Sequence, residues 1–413
     1  MSLKNGRRIP PADRQNQTIN SSPCSHDVRP RTNTQGIILS GAHSWERSGF
    51  CGLICKTLVP IALQPLIWHV TQWLRRGGIE RAHICGNGHT DYLREQLKNG
   101  FANELALSYV EDIMPRGPAG CVRDAGIGQR ADQFVVIEGT VVPHVDLPEL
   151  LDAHKKSRAS LTVVSGDDGR AGPSDVTQKP MGIYVFSSRI LREIPRVGYQ
   201  DIKETLIPAL HRMGERVVAF KVARGVALRV GNAASYLRAN MTEVQRIAHH
   251  GTLGREYVKI AQAWVHTSTQ VDPTARFIGP ALVDAGCTIG PGSLVVGPTS
   301  IGAGCRIEPF AVVSRAVVWD RCTIGRSAML DHSILTSEAN VLAGEVLRYS
   351  TRFGQHRSRH STLGRLIRCF RIARKGEGIR PSGQQRNPRP DALADRPVAI
   401  GSQWSNRTAD PHP

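Results

Sequence analysis

The stretch 271–319, VDPTARFIGPALVDAGCTIGPGSLVVGPTSIGAGCRIEPFAVVSRAVVW, decides the architecture of the C-terminal half. Apolar residues recur in it every six positions, at Val271, Phe277, Val283, Ile289, Val295, Ile301, Ile307, Val313 and Trp319. Four residues after each of the first seven stands a small one: Ala275, Ala281, Cys287, Ser293, Thr299, Cys305 and Ala311. Gly and Pro crowd the positions between. A hexad of this kind makes one flat side of a triangular coil, with the aliphatic residue inside and the small one beside a tight turn. Such coils are stable because each buries its apolar surface against the next. Strands of an ordinary sandwich recur at about 8 to 12 residues and fit the spacing less well. After Trp319 the register slips by one, to Ile324 and Leu330, which predicts a loop or terminal coil there.

Before the hexads the texture is different. Short apolar runs alternate with amphipathic stretches: IILS (37–40), PLIWHVTQWLRRGG (65–78), RAHICG (81–86), YLREQLKNG (92–100), LALSYVED (105–112) and QFVVIEG (133–139), then LPELLDAHKKS and LTVVS. Strands alternating with helices predict an α/β domain with a mainly parallel sheet covered on both faces. Functional groups then belong on the loops after the carboxyl ends of the strands. The expected organisation is a disordered leader over 1–35, the α/β domain over 36–240, a helical linker over 241–263, the coil over 264–340 and a basic, largely disordered tail over 341–413.

Bulk properties narrow the function classes. Apolar residues make up 40% of the 413 and aromatics only 5%, which disfavours a base-stacking nucleic-acid binder. The net charge of +18 is placed unevenly: twelve Lys or Arg face one acidic residue, Glu377, between Arg348 and Arg389, contributing +11. Basicity is thus mainly a property of the tail, and sequence-specific nucleic-acid binding is not expected. Within the tail, GRLIRCFRIARK sets Leu366, Ile367, Phe370 and Ile372 among Arg365, Arg368, Arg371, Arg374 and Lys375, a basic amphipathic stretch suited to an anionic membrane or an acidic partner. Nine cysteines without a C-x-x-C pair suggest reduced thiols, not disulfides or a zinc site. The polar opening, MSLKNGRRIPPADRQNQ, has no apolar segment, and the protein is expected to be cytoplasmic.

The hexads resemble the hexapeptide-repeat left-handed β-helix family. The domain before them resembles the sugar-1-phosphate nucleotidyltransferases, especially those making GDP-mannose. IILSGAHSWER stands for the family's glycine-rich loop, KTLVPIALQPLIWHVTQWLRRGGI for its lysine element, EDIMPRGPAGCVRDA for its second glycine loop, and MGIYVFSSRIL with VALRVGNAASYLRAN for its later strands. The resemblance implies a Rossmann-like nucleotidyltransferase domain followed by a left-handed parallel β-helix. It also implies a nucleoside triphosphate and a sugar 1-phosphate as substrates, Mg²⁺ if the chain is active, and homo- or hetero-oligomers formed through the β-helix.

Carried onto this chain, the resemblance assigns catalysis to Lys56 and Arg47, nucleotide contacts to Leu39, Gly41, Ala42, Gly117, Ala119 and Gly120, and sugar-phosphate contacts to Lys179 and Gly182. Several positions depart from the pattern. The glycine-rich loop becomes Ala42, Ser44, Trp45 and Glu46 after Gly41. Thr140 follows Gly139 where the family has a metal-binding aspartate, and Arg229 takes the place of the second. A cation in place of a cation's ligand inverts the local electrostatics, so no metal ligand is assigned. The implied activity is a mannose-1-phosphate guanylyltransferase-like reaction at a degraded site. Alternatives are a nucleotide-sensing or assembly subunit, and a hexapeptide-repeat acyltransferase using His266 or His332.

Overall fold

The computed structural model describes residues 33–41, 55–86, 90–97, 105–112, 116–166, 179–250 and 253–354. The basic amphipathic stretch falls outside the described residues.

The α/β half is built on one seven-stranded sheet. Its strands are β1 (Thr34–Leu39), β2 (Arg81–Gly86), β3 (Ala106–Glu111) and β4 (Gln133–Glu138), with a short β5 (Val141–Pro143) set apart, then β6 (Leu161–Gly166), β7 (Lys179–Ser187) and β8 (Val217–Lys221). The sheet order is β8-β6-β7-β4-β1-β2-β3. Every pairing is parallel except those of β7, which runs against β4 and β6. All six residues of β4 are buried, as a strand covered on both faces requires, and QFVVIE is accordingly a near-continuous apolar run. A further short strand, β9 (Ala227–Arg229), pairs antiparallel with β5, setting Arg229 opposite Val141.

Helices follow the strands. In α1 (Leu66–Arg76) the buried Leu66, Val70, Trp73 and Leu74 recur at helical spacing and face the sheet. The helix ends at Gly77 and Gly78. A Cβ on Gly77 would lie 2.3 Å from Leu147 Cδ2, so the missing side chain lets α4 (Leu147–Ser157) close over the turn. Asp146 caps α4 by accepting the Glu149 N–H at 2.9 Å, as its place before LPELL predicts. The remaining helices include α2 (Thr90–Leu97), α3 (Gly117–Gly126), α5 (Ile207–Arg212) and a long α6 (Ala233–His250).

From Ala263 to Arg352 the chain is a three-sided parallel β-helix, one sheet per side. Interior positions are filled by the predicted aliphatics, among them Val283, Ile289, Val295, Ile301, Ile307 and Val313. Cys287, Cys305 and Cys322 stack beside them as free thiols, each donating to a backbone carbonyl of the next coil. One expectation is corrected. Trp319 is not the ninth interior residue: Val318 pairs with Ile301 and lies in the β-helix core, while Trp319 faces the α/β half. The slip therefore precedes Trp319. Its cause is the corner at Arg315, which takes a left-handed φ of 46° and completes the bend one residue sooner than Gly279-Pro280 or Gly297-Pro298 do. His332 and Tyr349 repeat it at 45° and 48°, so later coils have 17 residues where the first have 18.

The outward residues of one β-helix side, Leu282, Val317 and Ile334, are buried against the α/β half. Trp319, Tyr236 of α6 and Ile61 share one continuous core there. Among the described residues no helix is long and apolar enough to cross a membrane.

Candidate functional site

The carboxyl ends of β1 and β4 lie side by side, with Leu39 in register with Glu138. Gly139 N–H donates to the Leu39 carbonyl at 2.8 Å, which draws the two ends together. A Cβ on Gly139 would stand 2.6 Å from Thr57 Cγ2 and 3.1 Å from the Leu39 carbonyl oxygen. Glycine here lets the short 3-10 turn Lys56–Leu58 lie directly against both strand ends, and the Ser40 and Thr57 hydroxyls meet at 3.2 Å. Lys56, the predicted phosphate lysine, is buried at this place.

Glu138, at the end of β4, is 7% exposed and held from two sides. Its Oε2 accepts from Arg229 Nη1 in an ion pair, and its Oε1 accepts from the Tyr184 hydroxyl at 3.3 Å. Burial first, then the Glu138 carboxylate, pushes the Tyr184 phenol far above its usual range, so it stays a proton donor. Arg229 comes from β9. Its neighbour Val230 donates N–H to the Thr140 carbonyl at 2.8 Å, which fixes β9 to the turn after β4. Gly182 on β7 adopts φ +82°, and a Cβ there would stand 2.8 Å from Arg229 Nη2 and 2.9 Å from Glu138 Cδ. Only glycine both takes that backbone and leaves room for the pair.

The predicted residues thus divide. Leu39, Gly41, Lys56 and Gly182 gather around the ends of β1 and β4. Lys179 opens β7, exposed, in register with Gly166. Gly117, Ala119 and Gly120 form the first turn of α3, after the edge strand β3. Gly117 takes φ +74° with the Gln200 carbonyl 2.5 Å from its Cβ position, and the Ala119 N–H donates to that carbonyl at 3.0 Å. That N–H is spent inside the protein, and Ala119 is fully buried. Arg47 and Ala42 lie outside the described residues. Of the histidines singled out for acyl transfer, His266 bonds Ser268 at 2.8 Å and His332 stacks on Tyr349 at a β-helix corner.

Tyr184, and Glu138 as the partner of Arg229, were not foreseen as site residues. The signal was present in Arg229 itself, since an arginine placed among strand ends needs a carboxylate.

The Mg²⁺ that the resemblance implies does not fit these residues. The two aspartate positions are a threonine and an arginine, and both oxygens of Glu138 accept from proton donors. Two unit charges about 4 Å apart interact by about 4 kcal/mol at an effective dielectric of about 20, so the guanidinium would oppose a divalent ion by about twice that. Among the described residues no group of three or more His, Cys, Asp or Glu side chains is placed to hold a metal ion.

Residues 36–175 match the family model described as nucleotidyl transferase. The α/β half is similar to the nucleotidyltransferase family. The mannose-1-phosphate guanylyltransferase of Mycobacterium tuberculosis is 27% identical over a match covering 57% of this chain and 70% of that enzyme. The D-glycero-alpha-D-manno-heptose 1-phosphate guanylyltransferase of Aneurinibacillus thermoaerophilus is 24% identical, over 31% of this chain and 56% of that enzyme. Among solved structures, HddC from Yersinia pseudotuberculosis aligns with a TM-score of 0.42 and 19% identity, covering 50% of this chain and 97% of that one. In the α/β half, Arg229 stands where the resemblance places the second metal-binding aspartate, and its partner Glu138 lies two residues before Thr140, the first such position.

A second charged cluster lies apart from these strand ends. Glu243 of α6 is fully buried and accepts from His144 Nε2 and, at 3.1 Å, from Arg246 Nη2, with His69 Nδ1 at 4.0 Å. Burial raises its pKa, but the hydrogen bond and charge of His144, with His69 and Arg246 behind them, outweigh this and hold it down to about 2. Burial lowers His69 to about 4, against the pull of Glu243.

Proposed function

We propose that this chain is a mannose-1-phosphate guanylyltransferase-like protein whose cleft binds a guanine nucleotide but turns it over poorly, serving as a nucleotide-sensing or assembly subunit. The observation that carries the reading is the ion pair of Arg229 with Glu138. Phosphoryl transfer of this class depends on positioning and charge neutralisation around the reacting phosphates. A divalent metal held by carboxylates would supply that charge in the family the chain resembles, and here the carboxylate present, Glu138, is already neutralised by a side chain. Lys56, in the turn against the ends of β1 and β4, is the cation that the resemblance assigns to a phosphate.

The test is pyrophosphate release by the full chain with GTP, mannose 1-phosphate and Mg²⁺, beside a Lys56→Ala control. The expected result is no release above the control, while the wild-type chain still quenches or polarises a fluorescent guanine nucleotide. Turnover that disappears in Lys56→Ala would establish an active enzyme and overturn this reading.

A further inference from the structure

The misfit with a divalent metal points to what takes its place. We propose that the Arg229 guanidinium, steered by Glu138, is the fixed counter-cation of the cleft, so that nucleotide phosphates bind without divalent metal. The proposal rests on the reading of the cleft as a nucleotide site.

Three observations carry it. Arg229 sits at the carboxyl edge of the sheet, beside the turn after β4, where ligands of open α/β sheets bind. Its side chain is 23% exposed, whereas that of Glu138 is 10% exposed, so the cation is the more accessible member of the pair. The pair is also expensive to keep, because withdrawing two charges from water costs more than an apolar contact of the same volume would. Gly182, at φ +82°, is the position that makes room for both charged groups.

The chemistry follows from the shape of the group. A guanidinium presents a planar fork of N–H donors that matches phosphate oxygens, keeps its charge at any physiological pH and needs no free ion in solution. Glu138, fixed by Tyr184, orients that fork; it is a positioning residue and touches no ligand. The ligand class is a nucleoside di- or triphosphate or its sugar ester, bound as the metal-free anion.

The experiment is a titration of the full chain with a fluorescent GDP analogue, in excess EDTA and again in millimolar Mg²⁺. The expected dissociation constants agree within about twofold. In the double variant Glu138→Gln with Arg229→Ala, which removes both charges and leaves no carboxylate orphaned, metal-free binding weakens by about tenfold or more. Circular dichroism and a thermal melt establish that the variant is folded; should it not be, the wild-type comparison decides alone. Binding that requires Mg²⁺ overturns the proposal and leaves the nucleotide-site reading standing. A folded wild-type chain that binds the analogue under neither condition overturns both.

Discussion

The Trp319 indole N–H donates to the Tyr236 hydroxyl at 2.8 Å, and that hydroxyl donates in turn to the Pro60 carbonyl at 2.6 Å. One phenol therefore ties the first shortened coil of the β-helix, helix α6 and the segment just after the Lys56 turn. Both rings are buried and meet edge to face, with centroids 6.3 Å apart. Trp319→Phe removes the donor and part of the ring and is expected to cost about 1 to 3 kcal/mol. Tyr236→Phe leaves the Pro60 carbonyl with the Asn240 amide at 3.3 Å but takes the acceptor from the buried Trp319 N–H, so its cost falls in the same range. Urea unfolding of both single variants and the double should give a coupling energy of about 1 kcal/mol; strict additivity would mean that the bond contributes nothing.

Gly182→Ala tests whether the charged pair needs the space it has. An L side chain at φ +82° costs about 1 to 2 kcal/mol before any contact, and its Cβ would press on both Arg229 and Glu138. We expect a loss of about 2 to 4 kcal/mol in stability, together with weaker nucleotide binding. Gly78→Ala is the comparison: the same φ of +82° with nothing near its Cβ position should show the backbone cost alone. Equal losses at the two sites would mean that Gly182 is required only by the backbone.

How much of this was legible before the structure depends on which residues carry the information. The β-helix could be read because one aliphatic residue recurs on each strand in its interior, so Val283, Ile289 and Val295 report the geometry directly. The α/β sheet could be read because a strand buried on both faces, such as β4, is apolar throughout. The shortened corners could not. A left-handed φ normally announces itself through Gly or Asn, and here Arg315, His332 and Tyr349 adopt it. The site was legible residue by residue but not in its pairings: Arg229 stood out as a substitution, while its contact with Glu138 spans 91 positions of sequence.

Acid should weaken the fold before any carboxylate of ordinary pKa titrates. Burial lowers His69 and His154 to about 4 from an ordinary value of 6.5. The unfolded chain therefore binds more protons than the folded one between those values. A group depressed in this way contributes stability that is full above about pH 6.5 and is lost as the pH falls towards 4. The two histidines together should give a decline of several kcal/mol between pH 7 and pH 4, on the order of 3 kcal/mol each. Urea midpoints at pH 7, 6 and 5 measure it, and His69→Gln should flatten the slope by about half. Glu243, held at about 2, adds a further loss only below its ordinary value of 4.5. A flat profile from pH 7 to 5 would show that neither imidazole is withheld from solvent protons.

The basic stretch 365–375 makes a prediction independent of the cleft. Leu366, Ile367, Phe370 and Ile372 alternate with five cations, and each basic side chain near an anionic surface contributes about 1 kcal/mol. The full chain should co-sediment with vesicles containing phosphatidylserine and be released as salt is raised, because the attraction is screened over about 10 Å at 0.1 M. A chain ending at Gly354 keeps every described strand of the β-helix and should stay in the supernatant. Replacing Phe370 with Ser separates the two contributions: salt-sensitive binding that survives the change is electrostatic, and binding lost with it requires the apolar face. Equal sedimentation of the full and shortened chains would remove the membrane as a partner for this segment.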